Sequence, residues 1–375
     1  MKKIIGLAVA CTFVAGFAVN AQADDEVNVT LGAAASYTFD VNDPDPTEPG
    51  NGSENNAAYS NYEQDESFNI DLVQVGINGT RGPVTYGVKL NFGDLAANAG
   101  DARDSDGFED SSDSDVGLQE AFLSIDASGL TVTAGRFGTP IGYEVLEPWG
   151  NSQISRSRAW NSEPVAHDGL AVSGSTGNVS GMLGVVNGFN VQDFNANNVD
   201  DEYGILGAFG ANFGNVDVNL AAIYSEEADA ADVFEISGIV ASVIGNCNLA
   251  LEVVYLDADD DGNTSTNTNF DSSVALREEL HITGYGDLHY GPWVFGMRAS
   301  WLDSETPGIS SSSKLENEIW TVSVTAGYEI TEGVLVRAEY RHDGSDDDIF
   351  GDDDFSSSGL SDSLDVLQAQ ILWMP

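Results

Sequence analysis

The chain has 375 residues, with 61 Asp and Glu against 13 Lys and Arg, for a formal net charge of -48. Such an acidic balance excludes nucleic acid as a partner, since a polyanion would be repelled. Only Cys11 and Cys247 are present, and Cys11 falls in an apolar leader, so the mature chain is expected to hold no intramolecular disulfide.

Residues 1–23 read as a secretory signal peptide. Lys2 and Lys3 open it, Ile4 to Val19 is apolar, and Ala21-Gln22-Ala23 is a small-x-small cleavage site before Asp24. From 24 to 375 no apolar run approaches the ~18 residues of a membrane-spanning helix. Apolar residues alternate instead, which leaves a soluble β-protein and a transmembrane β-barrel as the two classes to separate.

The first mature strand is clear. Val27, Val29, Leu31, Ala33, Ala35, Tyr37 and Phe39 point one way, and Asn28, Thr30, Gly32, Ala34, Ser36, Thr38 and Asp40 the other. After an acidic segment to about Ser67, the apolar phase of Phe68, Ile70 and Leu72 shifts to Val73, Val75 and Ile77, which predicts a bulge. Gly79 to Pro83 is a tight turn, and Val84, Tyr86, Val88, Leu90 and Phe92 then alternate with Thr85, Gly87, Lys89 and Asn91.

The rhythm repeats from there. Long polar segments fall near 94–117, 138–165, 187–202, 225–232, 257–277, 303–316 and 342–362. Short turns fall near 127–129, 173–178, 214–215, 245–247, 291–292 and 329–333. This alternation predicts an all-β transmembrane antiparallel barrel of about 16 strands, with long extracellular loops and short periplasmic turns. Both termini then lie at the periplasmic rim and no sheet edge is left open.

Trp293 and Trp301 share one apolar face, as do Trp320 and Tyr328 on the next strand. Eight residues of tilted strand cover roughly 20 Å, the height between two aromatic girdles facing outer-membrane lipid. The last strand sends Leu367, Ala369, Ile371 and Trp373 outward, with Gln368 and Gln370 inward. Its terminal aromatic, Trp373, is the kind of signal read by barrel-assembly machinery, although Met374 and Pro375 follow it.

The opposite faces carry Lys89, Asp217, Glu252, Glu279, His281, Asp287, His289, Arg298, Arg337, Glu339 and Arg341. Unpaired charges in a dry core cost several kcal/mol each, whereas a water-filled lumen removes the cost. The expectation is a passage for small hydrophilic solutes and ions.

The segment 138–165 is the candidate constriction loop. It follows Arg136, whose phase places it either on the lipid row or, through a bulge, inside. Thr139-Pro140-Ile141-Gly142 and Trp149-Gly150 predict an ordered turn, and Tyr143, Val145, Leu146, Trp149 and Ile154 give it apolar contacts. Glu144 and Glu147 are expected to face lumen arginines, with Arg156 and Arg158 anchoring or lining the loop.

The run from Gly135 to Ser157 followed by EPVAHDGL, with GLQEAFLSID just upstream, resembles the OmpL-like family of outer-membrane β-barrel porins. The specific match covers about 116–172. It implies a pore-forming protein of the bacterial outer membrane and no particular solute.

Asp257, Asp259 and Asp261 stand at alternate positions before Gly262, as in a calcium loop, but Thr268 occupies the place of the closing carboxylate. Loosely bound calcium at the outer loops is the expectation, and no cofactor otherwise. The acidic loops favour a weak cation preference, opposed by the lumen arginines. The alternative is a surface adhesin or a calcium-binding structural barrel that uses those loops. His167, His281, His289 and His342 assemble no catalytic signature, so no enzyme is expected. A homotrimer follows only by analogy with other wide porins.

Overall fold

Period-two alternation sets the architecture, because it gives every strand one face for lipid and one for the interior. The computed structural model describes residues 26–41, 68–99, 116–189, 203–227, 231–259, 277–307, 314–347, 350–351 and 360–374. Within them the barrel strands are β1 (Glu26–Asp40), β2 (Phe68–Arg81), β3 (Val84–Phe92), β4 (Val116–Ala127), β5 (Leu130–Gly138), β6 (Ala166–Thr176), β7 (Val179–Val186) and β8 (Gly204–Asn212). They continue as β9 (Val216–Glu227), β10 (Ala231–Ile244), β11 (Cys247–Asp259), β12 (Arg277–Tyr290), β13 (Trp293–Pro307), β14 (Lys314–Thr331) and β15 (Val334–Ser345). A two-stranded ribbon, β16 (Phe350–Gly351) with β17 (Leu360–Ser361), stands in the last loop, and β18 (Ser363–Trp373) closes the ring.

Sixteen antiparallel strands form one closed barrel, with β1 paired to both β2 and β18. Closure is in register: Ala33 faces Trp373, Ala35 faces Ile371 and Phe39 faces Leu367. Closure leaves no open edge in the membrane-crossing ladder, which a bilayer demands. The outward rows are exposed apolar residues, among them Val27, Val29, Leu31 and Phe39 on β1. Gly32, Ala34, Ser36 and Thr38 lie buried inside, as alternation predicts.

The phase shift in β2 is a bulge. Ala34 pairs with Leu72 and Ser36 with Asn69, so two β2 residues oppose Ala35. Phe68 and Ile70 stay outward, and Leu72 turns into the interior, fully buried. A second shift, between Lys89 and Leu90, lets both Gln119 and Glu120 of β4 reach the inner wall. The aromatic rows are also in register, with Trp293 opposite Tyr328 and Trp301 opposite Trp320.

The strands outrun the sequence pattern at the loop rim. The segment 225–232 shrinks to a three-residue connection between Glu227 and Ala231, and 303–316 to the gap between Pro307 and Lys314. Acidic side chains there read as loop, yet the backbone ladder continues into water, where charge does not penalise a strand. Short turns connect the other ends, as at Gly82-Pro83 and Gly291-Pro292.

Candidate pore constriction

Residues 139–165 leave β5 at the long-loop rim and turn into the lumen. At one end the Glu147 carboxylate accepts hydrogen bonds from Lys89 Nζ of β3 and from Gln74 and Gln119 Nε2, each at 3.1 Å. At the other end the Glu163 carboxyl lies beside that of Glu252 on β11. Strands β3 and β11 lie eight steps apart in either direction around the ring. The loop is thus a crossbar spanning the full width of the barrel.

Between these ends it lies along an arginine wall on β13 and β15. Arg298 Nη1 donates to Glu144 Oε1 and to the Ser155 carbonyl, both at 2.8 Å. Arg337 donates to the Asn151 carbonyl at 2.5 Å, the Pro148 carbonyl at 2.9 Å and Gln370 at 2.8 Å. Arg341 reaches the Arg156 carbonyl at 2.7 Å and clasps Asp343 with Nε at 2.7 Å and Nη2 at 2.8 Å. Asp343 also takes Arg158 Nη2 at 3.0 Å. Glu339 accepts from the backbone of Ile154 and Ser155 and from the Ser155 hydroxyl.

The loop is braced internally as well. Asn151 accepts from the Val145 amide at 3.0 Å and donates to the Val145 and Glu147 carbonyls at 2.7 and 2.9 Å, closing a tight turn around Pro148-Trp149-Gly150. Arg156 Nη2 donates to the Leu146 carbonyl at 2.8 Å, and its guanidinium sits 5.5 Å from the Trp160 ring centre. Leu146, Ile154 and Trp160 pack with Leu72 and Leu95 as a small core inside the barrel. The Trp149 indole covers Gly32 of β1, where a Cβ would stand 2.3 Å from the ring, so only glycine admits it.

The start of the loop is held by apolar contacts. Phe137 and Ile141 pack with Met182, Val186, Leu206, Ile223 and Leu256 on the inner wall. Here the wall is covered by the loop, so apolar residues face protein instead of water.

Electrostatics differ between the two ends. Burial pushes the Glu147 carboxyl up, but the Lys89 ammonium and the Gln74 amide outweigh it and hold it at about 2. Burial pushes the Glu163 carboxyl well above the carboxylate range, and the neighbouring Glu252, Glu235 and Glu144 push it further. Burial and the neighbouring carboxylates therefore favour the neutral, protonated form of Glu163 at this end of the crossbar. Burial also lowers the Arg158 guanidinium, against the opposing pull of Asp343.

The site residues anticipated from sequence fall into three groups. Glu144, Glu147, Arg156, Arg158, Lys89, Arg298, Arg337, Glu339 and Arg341 all belong to the crossbar or its sockets, with Glu144 on Arg298 as expected but Glu147 on Lys89 rather than an arginine. Arg136 does not. It lies opposite Asp168 on the row occupied by outward-facing Ala134 and Leu170, and binds the Asp168 carboxylate at 2.9 and 2.7 Å and the Leu118 carbonyl at 2.9 Å. No bulge turns it inward, because β5 and β6 stay in register through it. Asp257 and Asp259 end β11, and Asp261 lies outside the described residues.

The inner charges are not bathed in water as expected. Arg298 and Arg341 are 0 % exposed and Glu339 is 1 % exposed, because the loop supplies their partners in place of solvent. Asp343 and Ser155 were missed. The signal for Asp343 was its parity, since Arg341-His342-Asp343 puts Asp343 on the arginine's face. Ser155 had no such signal, because a loop carries no period.

A closed barrel of this size with a long segment folded across its lumen is the architecture of outer-membrane porins. The chain belongs to the family described as "Putative beta-barrel porin-2, OmpL-like", whose model matches residues 27–371. Solved structures agree in fold. OmpT of Vibrio cholerae, folded in vitro, aligns with TM-score 0.60 at 12 % identity over 94 % of this chain and 99 % of its own. The DcaP channel of Acinetobacter baumannii gives 0.59 at 11 %, over 94 % and 98 %. An anion-selective porin from Comamonas acidovorans gives 0.55 at 10 %, over 94 % and 100 %. No curated protein matches the chain in sequence. The chain is an outer-membrane porin, a passive diffusion channel.

Proposed function

We propose that small hydrophilic solutes and ions diffuse past the crossbar 138–165, which sets the width of the channel, with a weak preference for cations. The crossbar's anchorage on opposite walls is the observation that carries this reading, since any solute must pass between loop and wall. Arg298, Arg337 and Arg341 are neutralised or engaged by Glu144, Glu339, Asp343 and loop carbonyls. The inner arginines thus oppose cations less than their number suggests, while the acidic outer segments enrich cations at the mouth. Residues 1–23 direct export and are removed, and the barrel assembles as a homotrimer; one OmpT structure is itself described as a trimer form. Calcium binds loosely to the outer acidic loops through Asp257, Asp259 and Asp261.

The test is the reversal potential of the purified protein in a planar bilayer under a KCl gradient. A potential of the sign set by potassium supports the reading, and one set by chloride contradicts the cation preference.

A further inference from the structure

The water-facing side of the crossbar is not its arginine side. Arg156, Arg158, Arg298, Arg337 and Arg341 are at most 6 % exposed, shut between loop and wall. From Tyr143 to Trp149 burial alternates: Glu144, Leu146 and Pro148 are buried, while Tyr143, Val145, Glu147 and Trp149 keep partial exposure. Glu147 is the one charge in that partly exposed row.

Glu147 stands beside Lys89 of β3 and Glu120 of β4. The register shift of β4 seats Glu120 directly opposite Lys89. Lys89 Nζ donates to Glu120 Oε1 at 2.8 Å and to Glu147 Oε1 at 3.1 Å. Lys89, Glu120 and Glu147 are 33, 17 and 13 % exposed in turn, so all three touch lumen water. One ammonium against two carboxylates leaves the group a single negative charge. The two carboxylates are not equivalent. Glu147 also accepts from Gln74 and Gln119. Among the described residues, the Glu120 carboxylate has Lys89 as its one hydrogen-bond partner, which leaves Oε2 free toward the lumen. A carboxylate held at one oxygen and open at the other attracts cations to a passage without burying them.

We propose that Glu120 sets the ion preference at the crossbar, with Lys89 as the counter-charge that limits it. A cation clearing the crossbar meets the free Glu120 oxygen, and an anion meets the same net negative charge. Glu120 acts on ions in transit and holds none, because one open carboxylate supplies far fewer oxygens than a closed coordination shell. The assignment rests on the channel reading above. It adds to the acidic mouth a second source of cation preference, inside the barrel.

The test is the potassium-to-chloride permeability ratio, read from reversal potentials of the purified full chain in a planar bilayer under a KCl gradient. A unit charge changes the population of ions about 4 Å away roughly fivefold in water, so Glu120→Gln should lower the ratio by about twofold to fivefold. Lys89→Met should raise it by a similar factor. Opposite shifts are the signature of charge, since a loosened crossbar would move both variants the same way. Both shifts should shrink in molar salt, where charges are screened within about 3 Å. Glu120→Asp keeps the charge and should stay closer to the parent than Glu120→Gln does. If Glu120→Gln loses the heat-dependent gel mobility of a folded barrel, Lys89→Met carries the comparison. An unchanged ratio in the folded variants, or shifts of one sign in both, overturns the assignment. A chloride-signed parent that moves further toward chloride in Glu120→Gln would remove the overall cation preference and leave the assignment standing. A potassium-signed parent with an unmoved Glu120→Gln would do the reverse.

Discussion

Glu147 and Glu163 fasten the two ends of the same loop by opposite protonation logic. The Glu147 carboxyl sits at about 2, below its ordinary 4.5. Its contribution to stability is therefore complete above the ordinary range and is lost as pH falls toward about 2. The Glu163 carboxyl is raised, so its contribution is complete below the ordinary range and is lost as pH rises through the raised value. Protease cleavage within 143–155 should accordingly increase at both pH extremes. Glu163→Gln should abolish the rise on the alkaline side alone, and Glu147→Gln should abolish the acid-side change. An unaltered alkaline limb in Glu163→Gln would contradict the raised Glu163 carboxyl. Arg298 offers a separate check. Arg298→Ala strands Glu144 beside Glu252 and Glu163, and breaking a buried pair costs about 3–5 kcal/mol. The loop should then be cut at neutral pH, where the parent chain resists.

As an element, the crossbar depends on packing as much as on charge. Leu146→Ala removes the centre of the cluster with Leu72, Leu95, Ile154 and Trp160, at a cost of about 2–5 kcal/mol. Faster cleavage in the loop with unchanged heat-dependent gel mobility of the barrel is the expected result, because the strand ladder does not rely on those contacts. Loss of the folded barrel in Leu146→Ala would mean that loop and barrel fold as one unit. The strands themselves were legible from sequence. Parity alone told lumen from lipid on β1, β3 and β18, and even the β2 bulge announced itself in the step from Leu72 to Val73. Strand ends were less legible, because Asp and Glu mark water contact rather than the end of a ladder. Arg136 shows the limit on a single residue. Its phase was readable, but its burial against Asp168 depends on a strand paired thirty-two positions away.

For the whole molecule, the barrel's closure followed from the even rhythm of loops and turns. What fills the lumen did not follow. The contacts that define the crossbar join residues such as Ser155 and Glu339, 184 positions apart, and no periodicity in a loop predicts which wall it will reach. Charges on the inner faces need partners, and here loop carbonyls and carboxylates supply them in place of water. The crossbar's proposed role is to limit flow. Single-channel conductance of the full chain should therefore rise when residues 143–155 are removed, provided the shortened protein keeps its heat-dependent gel mobility. A folded deletion variant with unchanged conductance would show that solutes never pass the loop as described.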